Sequence, residues 1–420
     1  MYNTGEEKEK VILIGIDYDN NGYDAESCLD ELYDLAKTAG ADCVGRMIQK
    51  REGIHKAHYF GKGKLEELKA YIKETGATGI ICDDELTANQ MKNMEKILET
   101  KIMNRTLLIL DIFAARAHSA EGKVQVELAQ LKYSLSHLTG QGASLSRLGG
   151  GIGTRGPGEK KLETDRRNIS DRISELNREL KEIEKHRKVL REKRMKNKIP
   201  VIALAGYTNA GKSTLMNSIT NAGVLEEDKL FATLDTTTRK VKLPSGAEYL
   251  FTDTVGFIQK LPHNLIKAFK STLEEVKYAD IILHIVDSSN FSREQHIKVV
   301  YETLNELGCG EKTVITVFNK IDREDAVFPL PKDSRAIMTL PVSAKKQKGI
   351  SELLKKIEDT VKSFKKLIKV LIPYDKGGMV NFVHGNCEIL TLENTENGFL
   401  FQIYADNEAY NRLKEFIMEE

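Results

Sequence analysis

The stretch VIALAGYTNAGKST, residues 201–214, determines the predicted fold of the second half of the chain. Its first five residues form a short apolar run typical of a buried strand, and G-x-x-x-x-G-K-S follows directly. In a P-loop this pattern joins a strand to a helix, and its backbone N–H groups surround phosphate. The stretch therefore predicts a phosphate-binding loop in an α/β domain. Lys212 would reach the β- and γ-phosphates, and Ser213 would bind Mg²⁺.

Three more short motifs follow, each at the end of an apolar run. In DTVG (253–256), Asp253 can hold the Mg²⁺ shell through water, and the Gly256 N–H can meet a γ-phosphate. In NKID (319–322), Asp322 can accept hydrogen bonds from guanine N–H groups that adenine lacks. SAK (343–345) suits backbone contact with the guanine carbonyl oxygen. Any one motif could be an ordinary strand end, but the ordered set resembles the translation-factor-related class of GTPases.

Two further residues bear on the rate of hydrolysis. Many GTPases place Gln after D-x-x-G to orient the attacking water, and this chain has Phe257 there. The pattern therefore predicts slow intrinsic turnover that a partner or another group completes, unless Phe257 is packed away and a different residue positions the water. Asn209 stands where some GTPases bind K⁺ beside the phosphates, which makes K⁺ activation a second hypothesis.

The remainder of 199–366 continues the β/α alternation of a mostly parallel sheet flanked by helices. Strands are predicted at 201–205, 247–253, 281–287, 313–319 and 336–342, and helices at 212–221, 263–277, 292–307 and 350–365. The last segment, 367–420, predicts a short α+β module with strands at 369–374, 387–394 and 400–405 and a closing helix near 407–418.

Residues 1–115 predict a small α/β domain. Apolar runs at 11–16, 42–48, 78–84 and 106–112 are interpreted as strands, and 24–38, 64–75 and 87–99 as helices between them. GKGK (61–64), at the start of one of these helices, is a weak hint of a second phosphate site; a simple turn at the helix start is the more ordinary interpretation.

Residues 116–198 predict an antiparallel helical hairpin. Two heptad seams, one running from Val124 to Leu138 and the other from Ile169 to Leu190, would each expose an apolar stripe if they stood alone. Between them, 140–159 is rich in glycine and contains Arg147 and Arg155. Such a long loop is usually functional or disordered, and a flexible linker is the alternative.

The hairpin also concentrates positive charge. The whole chain has 63 Lys and Arg against 62 Asp and Glu, for a net charge of +1, whereas residues 147–198 have 17 against 9. A projecting basic hairpin with a Gly-rich tip suits contact with RNA phosphates. The alternative is a solvated coiled-coil face stabilised by i,i+4 ion pairs.

Composition excludes several classes of protein. No apolar run approaches membrane-spanning length, and the polar N-terminus is unlike a secretory signal. The five cysteines are scattered without C-x-x-C spacing, which argues against a disulfide scaffold or a metal cluster and favours a reducing compartment. His55 and His58 are three residues apart but have no third ligand nearby in sequence.

Long segments outside the P-loop region resemble the HflX family of ribosome-associated GTPases. They are HYFGKGKLEEL (58–68), LILDIFAARAHSAEGKVQVELAQLKY (108–133) and LSRLGGGIGTRGPGEKKLETDRR (145–167), together with GYTNAGKS and LFATLDTTTR. One departure is Lys160-Lys161, where family members often have one Thr. The resemblance implies a cytoplasmic GTP hydrolase that binds the large ribosomal subunit and splits or rescues stalled or idle ribosomes under stress. It also implies that the hairpin enters the peptidyl-transferase region.

The resemblance also selects among the candidates for switch I, the segment that closes on the γ-phosphate. FATLDTTTR (231–239) offers Thr233, Thr236, Thr237 and Thr238, which spacing alone does not separate; the family pattern favours Thr233. The predicted Mg²⁺ ligands are then Ser213 and Thr233, and the predicted catalytic residues are Lys212, Thr233, Asp253 and Gly256.

The motifs and the basic hairpin each predict a set of binding residues. The nucleotide-binding set comprises Gly206, Tyr207, Thr208, Asn209, Ala210, Gly211, Lys212, Ser213, Thr214, Phe231, Ala232, Thr233, Leu234, Asp235, Asp253, Thr254, Val255, Gly256, Asn319, Lys320, Ile321, Asp322, Ser343, Ala344 and Lys345. The RNA-binding set comprises Arg147, Arg155, Lys160, Lys161, Arg166 and Arg167.

The fold prediction is thus an α/β multidomain protein in four parts, with boundaries at 1–115, 116–198, 199–366 and 367–420. The predicted ligands are GTP, Mg²⁺ and K⁺ near Asn209, and the predicted form is a monomer. One rival is a protein-binding regulatory module in which nucleotide only gates assembly. A second rival, an ATP-dependent metabolic kinase, conflicts with NKID.

Overall fold

The fold is α/β, as predicted, with two mostly parallel sheets flanked by helices. In the computed structural model the chain packs as two compact units, one formed by residues 1–240 with 250–347 and the other by 241–249 with 348–420. The four predicted domain boundaries stay predictions. The structure describes residues 8–18, 24–145, 157–196, 199–220, 230–231, 233–243, 245–260, 262, 265, 270–326 and 328–418.

The N-terminal sheet has four parallel strands in the order β2-β1-β3-β4. Its central strands are buried, because helices cover both faces of such a sheet. The strands are β1 (Lys10–Asp17), β2 (Asp42–Lys50), β3 (Gly79–Cys82) and β4 (Lys101–Asn104). The helices are α1 (Ala25–Thr38), α2 (Lys62–Thr75), α3 (Ala88–Leu98) and α4 (Arg105–Arg116).

The predicted strand at 106–112 is wrong, because this run lies within α4. The strand of this β/α unit is instead the short β4 that precedes it. The Asn104 side chain begins α4 by accepting a hydrogen bond from the Leu107 N–H at 3.0 Å. α4 is buried on most of its circumference. A short, continuously apolar run fits a buried helix and a buried strand equally well.

The predicted hairpin consists of α5 (Ala120–Leu145) and the 40-residue α6 (Pro157–Lys196). Val124 and Leu128 of α5 pack on Leu176 of α6 at the centre of the seam. Glu127 pairs with Arg172, and Glu121 pairs with Arg187, so the two helices run antiparallel. Within the described residues, no helix is both long enough and apolar enough to cross a membrane.

The second sheet has six strands in the order β10-β9-β8-β5-β7-β6. Strands β5, β7, β8, β9 and β10 pair in parallel, so their carboxyl ends share one edge. The strands are β5 (Val201–Gly206), β6 (Thr237–Lys242), β7 (Glu248–Asp253), β8 (Ile281–Asp287), β9 (Thr313–Asn319) and β10 (Met338–Pro341). The helices in this part of the chain are α7 (Lys212–Thr220), α8 (Lys270–Lys277) and α9 (Arg293–Glu306), and α10 (Ile350–Ser363) follows β10 in the second compact unit.

The C-terminal residues form a three-stranded antiparallel sheet in the order β11-β13-β12. A helix at 377–386 was absent from the sequence prediction, because glycines at both ends obscure its apolar residues. The elements are β11 (Lys366–Ile372), α11 (Gly377–Asn386), β12 (Glu388–Thr395), β13 (Gly398–Ala405), α12 (Asn407–Leu413) and a 3₁₀ turn (Lys414–Phe416).

Candidate functional site

The predicted P-loop joins β5 to α7 at the carboxyl edge of the six-stranded sheet. Its turn places Asn209 at φ +58° and Gly211 at φ +90°, both in the left-handed region. A Cβ on Gly211 would collide with the Asn319 side-chain amide, so the backbone approach also requires glycine. The loop therefore presents its N–H groups at the start of α7, the arrangement that binds phosphate.

Lys212 is buried at the first position of α7. Its Nζ donates hydrogen bonds to the Gly206 carbonyl at 3.1 Å and to the Tyr207 carbonyl at 2.8 Å. Burial lowers the pKa of Lys212 to about 8, although the Asp253 carboxylate opposes this shift. The ammonium therefore lacks an anionic partner strong enough to offset its desolvation, which a phosphate would supply.

Three side chains from separate segments converge beside Lys212. The Ser213 Oγ lies 2.7 Å from the Thr233 Oγ1 and donates to the Asp253 Oδ2 at 2.8 Å, while the Thr233 hydroxyl donates to the same oxygen at 3.2 Å. Burial raises the pKa of Asp253, and its Oδ1 has no hydrogen-bond partner in the part of the chain that the structure describes. These oxygens form a donor set that suits a hard divalent cation.

The DTVG segment lies directly against the P-loop. The Phe257 N–H donates to the Gly206 carbonyl at 3.1 Å, and the Phe257 carbonyl accepts from the Thr208 N–H at 2.8 Å. A Cβ on Gly256 would lie 2.9 Å from the Lys212 Nζ and from Thr208, so only glycine fits there. Phe257 is 1% exposed and its side chain packs in the core.

The two motifs predicted to recognise guanine, NKID and SAK, meet through Asn319. Its side-chain amide donates to the Ala210 carbonyl at 3.0 Å, and its Oδ1 accepts from the Ala344 N–H at 3.0 Å, so one residue joins the P-loop to the SAK loop. The Ser343 hydroxyl donates to the Asp322 carboxylate, and this hydrogen bond is the main cause that lowers the pKa of Asp322. Asp322 itself is exposed and ionised, as guanine recognition requires.

Some predicted nucleotide contacts have other partners. The Phe231 ring packs edge-on against Phe113 of α4, and Leu234 is buried in the same core. Asp235 accepts hydrogen bonds at the start of α5, and Thr254 donates to the Leu204 carbonyl at 2.6 Å. Ala232 lies outside the described residues. The side chains of Phe231, Asp235 and Thr254 therefore contact groups other than the phosphate-binding backbone.

The other predicted residues lie around this loop. The Tyr207 ring stacks on the His296 ring with centroids 3.6 Å apart, and the Tyr207 hydroxyl accepts from the Gln259 N–H at 2.8 Å. The Lys320 Nζ lies 2.7 Å from the Asp287 Oδ2. Thr238 lies on β6 and contacts Thr252 at 3.0 Å, so the structure brings Thr233, and not Thr238, to the candidate metal site. The remaining members, Thr214, Val255, Ile321 and Lys345, lie on the same segments as their motif neighbours.

A buried ionic network beside the candidate nucleotide site was absent from the sequence prediction. Arg105, at the start of α4, donates to Glu31, to Asp83 at 2.7 Å and to the Gln259 carbonyl at 3.2 Å. Lys260 pairs with Asp83 and with Asp84 at 3.2 Å. The network joins the N-terminal sheet to the segment after DTVG. No spacing along the chain could have indicated it, because residues that pair directly lie up to 177 positions apart.

The predicted RNA-binding residues lie on or before α6. Arg166 and Arg167 are exposed near the N-terminal part of that helix. Lys160 and Lys161 belong to its first turns, and Arg147 and Arg155 lie outside the described residues.

Three family models match the chain in tandem. They are described as GTP-binding GTPase N-terminal (residues 26–114), GTP-binding GTPase Middle Region (116–194) and 50S ribosome-binding GTPase (201–320). Together they cover the N-terminal α/β region, the hairpin and the P-loop region through NKID.

Curated relatives match almost end to end. The GTPase HflX of Lacrimispora saccharolytica is 52% identical over 97% of this chain and 96% of its own length. The GTPase HflX of Caldanaerobacter subterraneus subsp. tengcongensis is 49% identical over 100% of this chain and 96% of its own. A solved GTP-binding protein from Sulfolobus solfataricus in complex with GDP is 23% identical, with a TM-score of 0.44, and the match covers 84% of this chain and 98% of that one. On the strength of the relatives, this chain belongs to the HflX family of ribosome-associated GTPases and is a GTP hydrolase.

Proposed function

We propose that this GTPase binds the large ribosomal subunit through its hairpin and uses a Mg²⁺-dependent site to change its affinity for the ribosome. The observation that carries the proposal is the convergence of Ser213, Thr233 and Asp253 beside a buried Lys212. GTP would hold switch I and DTVG closed, and hydrolysis would release them. The released state would bind the ribosome less tightly.

Two hydroxyls would hold the Mg²⁺ ion. The Ser213 and Thr233 oxygens are adjacent, and Asp253 is close enough to act through water; its unpartnered Oδ1 supports this assignment. The ion would neutralise charge on the phosphate oxygens. The protein's own part is to position GTP: Lys212 would leave the P-loop carbonyls for the phosphates, and the Gly256 N–H would contact the γ-phosphate. Thr233→Ala should therefore raise the Mg²⁺ requirement of hydrolysis while leaving GDP binding intact.

Turnover is expected to depend on the ribosome. Phe257 is packed away and cannot orient water, so either another residue of this chain positions the attacking water or the ribosome completes the site; we propose the second. We therefore expect slow hydrolysis by the isolated protein and stimulation by large subunits. The test measures GTP turnover with large subunits, with small subunits and without either. Equal rates in the three reactions would refute ribosomal completion of the site.

K⁺ is a candidate second activator. Asn209 takes the left-handed conformation at the exposed edge of the P-loop, beside the predicted phosphate position. Its side-chain oxygen could bind K⁺, which would add positive charge next to the phosphates. Hydrolysis should then be faster in KCl than in NaCl at equal ionic strength, and Asn209→Ala should remove the difference. Equal rates of the unaltered protein in both salts would refute the hypothesis.

The hairpin is the proposed RNA-contacting element. Arg166 and Arg167 are exposed on α6, and the segment 147–198 has a net charge of +8. Each lost phosphate contact should reduce the slope of log affinity against log salt by up to about 0.9. Changing Arg147, Arg155, Arg166 and Arg167 to Ala should therefore weaken ribosome binding and flatten its salt dependence. Lys277→Ala with Lys298→Ala, two exposed charges outside the hairpin, is the control.

The same experiment distinguishes RNA binding by the hairpin from the rival function. A protein-binding module gated by nucleotide would keep its ribosome affinity after these substitutions, since its hairpin would contact a protein. Unchanged affinity and salt slope would therefore favour the rival.

Membership of the family supports a proposal about the cellular role. We propose that the protein acts as a monomer in the cytoplasm, reaches the peptidyl-transferase region of the rRNA, and splits or rescues stalled or idle ribosomes under stress. Sedimentation of intact ribosomes mixed with protein and GTP tests this. Free subunits should accumulate with the unaltered protein, whereas Lys212→Ala, which lacks the phosphate contact, should leave the ribosomes intact.

A further inference from the structure

Switch I also reaches the hairpin, through Asp235. One carboxylate oxygen accepts hydrogen bonds from the His118 N–H at 3.0 Å and the Ser119 N–H at 2.8 Å, and the other accepts from the Ser119 hydroxyl. Asp235 lies only two residues after Thr233, whose hydroxyl contacts Ser213 and Asp253. A single short segment therefore connects the candidate Mg²⁺ site to the first turn of α5.

The contact continues into the helix. Ser119 precedes α5 and caps it, because its Oγ accepts from the Gly122 N–H at 2.9 Å while donating to Asp235. A carboxylate is also favoured there by the positive end of the helix dipole. Asp235 thus completes the cap of a helix whose first turn is more than 100 positions away in sequence.

Gly122 shows how closely the first turn of α5 packs against Asp235. It is buried, and a Cβ added to it would collide with the Asp235 Oδ1 and lie 3.1 Å from the Ser119 Oγ. The helical position itself does not require glycine, since Ala is the better helix former. The carboxylate of Asp235 is what excludes a side chain at this position.

We propose that Asp235 is a positioning residue for GTP hydrolysis, which holds Thr233 at the Mg²⁺ site by anchoring switch I to the start of the hairpin helix α5. The anchor acts in both directions. Closure of Thr233 on nucleotide orders the first turn of α5, and an ordered α5 favours the closed switch. The proposal rests on the Mg²⁺ role proposed above for Thr233, and it adds the route by which that site affects the hairpin.

The first test removes the anchor. Asp235→Ala should lower GTP turnover by about tenfold, an effect of the size of a lost helix cap and its charged hydrogen bonds. It should also raise the Mg²⁺ concentration for half-maximal turnover and leave GDP affinity unchanged, since GDP does not require switch I. Asp235→Asn keeps one acceptor, so its GTP turnover should lie between that of the unaltered protein and that of Asp235→Ala. Asp406→Ala is the control. It removes the cap of α12, where Asp406 accepts from the Ala409 N–H at 2.7 Å, and it should leave turnover and the Mg²⁺ requirement unchanged.

The second test uses the steric fit and does not depend on the loss of a side chain. Gly122→Ala in the unaltered protein should reproduce the raised Mg²⁺ requirement, because the new methyl group displaces Asp235. In the Asp235→Ala background the same change should have no further effect on turnover and should raise the melting temperature. An unchanged Mg²⁺ requirement in both Asp235→Ala and Gly122→Ala would overturn the proposal.

The third test reports on the link itself. Amide hydrogen exchange of residues 118–122 should slow when a non-hydrolysable GTP analogue replaces GDP, and Asp235→Ala should abolish the difference. Equal exchange in the two nucleotide states of the unaltered protein would refute the coupling. If Thr233→Ala retained a normal Mg²⁺ requirement, the metal assignment would fail, whereas the exchange result would still decide whether Asp235 connects switch I to α5.

Discussion

At the scale of single residues, the P-loop region depends on two glycines that cannot carry a side chain. Gly256 lies where a side chain would occupy the space of the Lys212 ammonium, and Gly211 lies where one would occupy the space of the Asn319 amide. Both glycines allow backbone N–H groups to approach a phosphate closely. The chemistry of the loop is therefore sensitive to a single methyl group.

Gly256→Ala should uncouple GDP binding from hydrolysis. The added Cβ would lie 2.9 Å from the Lys212 Nζ and from the Thr208 Cα, so DTVG could not close on the P-loop. We expect turnover to fall about 100-fold, the effect of losing a positioned charge-stabilising donor, with GDP affinity nearly unchanged. Steady-state kinetics and GDP titration measure the two effects. Gly53→Ala, with open space around its Cβ, should leave both unchanged; a fully active Gly256→Ala would contradict the assignment.

GTP binding should take up a proton above pH 8. Burial lowers the pKa of Lys212 to about 8 when only protein groups surround it, so the side chain is charged below that pH and increasingly neutral above it. Phosphates favour the ammonium and raise its pKa, so affinity for GTP should decline as pH rises through about 8. Calorimetry at pH 8.5 in buffers of different ionisation enthalpy measures the proton. Lys212→Met should remove the uptake, and its absence from the unaltered protein would contradict the argument.

At the scale of elements, the hairpin has a thin core. Leu176 is fully buried and packs on Val124 and Leu128, while the neighbouring seam residues are only partly buried. The sequence predicted this pairing well, because a heptad pattern specifies which faces meet. It failed at 106–112, where an apolar run without a clear period formed α4, and at 377–386, where flanking glycines obscured a helix.

Leu176→Ala should loosen the hairpin. Removing a buried Leu side chain costs about 2–5 kcal/mol, and this seam has few other buried side chains to compensate. Hydrogen exchange along α6 should accelerate, while hydrogen exchange in the four-stranded and six-stranded sheets stays constant. Val189→Ala is the control, since Val189 is 51% exposed on the same helix and its loss should change exchange little. Equal protection in both variants would contradict a seam centred on Leu176.

At the scale of the whole molecule, buried charges connect the N-terminal sheet to the GTPase region. Arg105 is surrounded by Glu31, Asp83 and the Gln259 carbonyl. Burial lowers the pKa of Arg105, but the Glu31 and Asp83 carboxylates outweigh this effect and raise it. Since Gln259 follows DTVG by three residues, the network supports the switch region from outside the nucleotide site. Glu31 also accepts from the Tyr207 hydroxyl of the P-loop.

Arg105→Ala should lower the free energy of unfolding by about 3–5 kcal/mol, because it leaves the buried Glu31 carboxylate without its cation and Asp83 with Lys260 alone. The exposed pair Arg46–Asp30 provides the control, and Arg46→Ala should cost no more than about 1 kcal/mol. Urea unfolding of the nucleotide-free protein measures both. A cost for Arg105→Ala as small as that for Arg46→Ala would show that the network contributes little to stability.

The sequence by itself determined the chemistry that lies in contiguous motifs. GYTNAGKST, DTVG, NKID and SAK each place a functional group at a strand end, and parallel pairing brings those ends to one edge. Only the tertiary structure decided what Asp235, Phe231 and Arg105 contact, because their partners lie far away along the chain. A side chain's chemistry can be inferred from its type and local pattern, whereas its partner depends on which elements pack together.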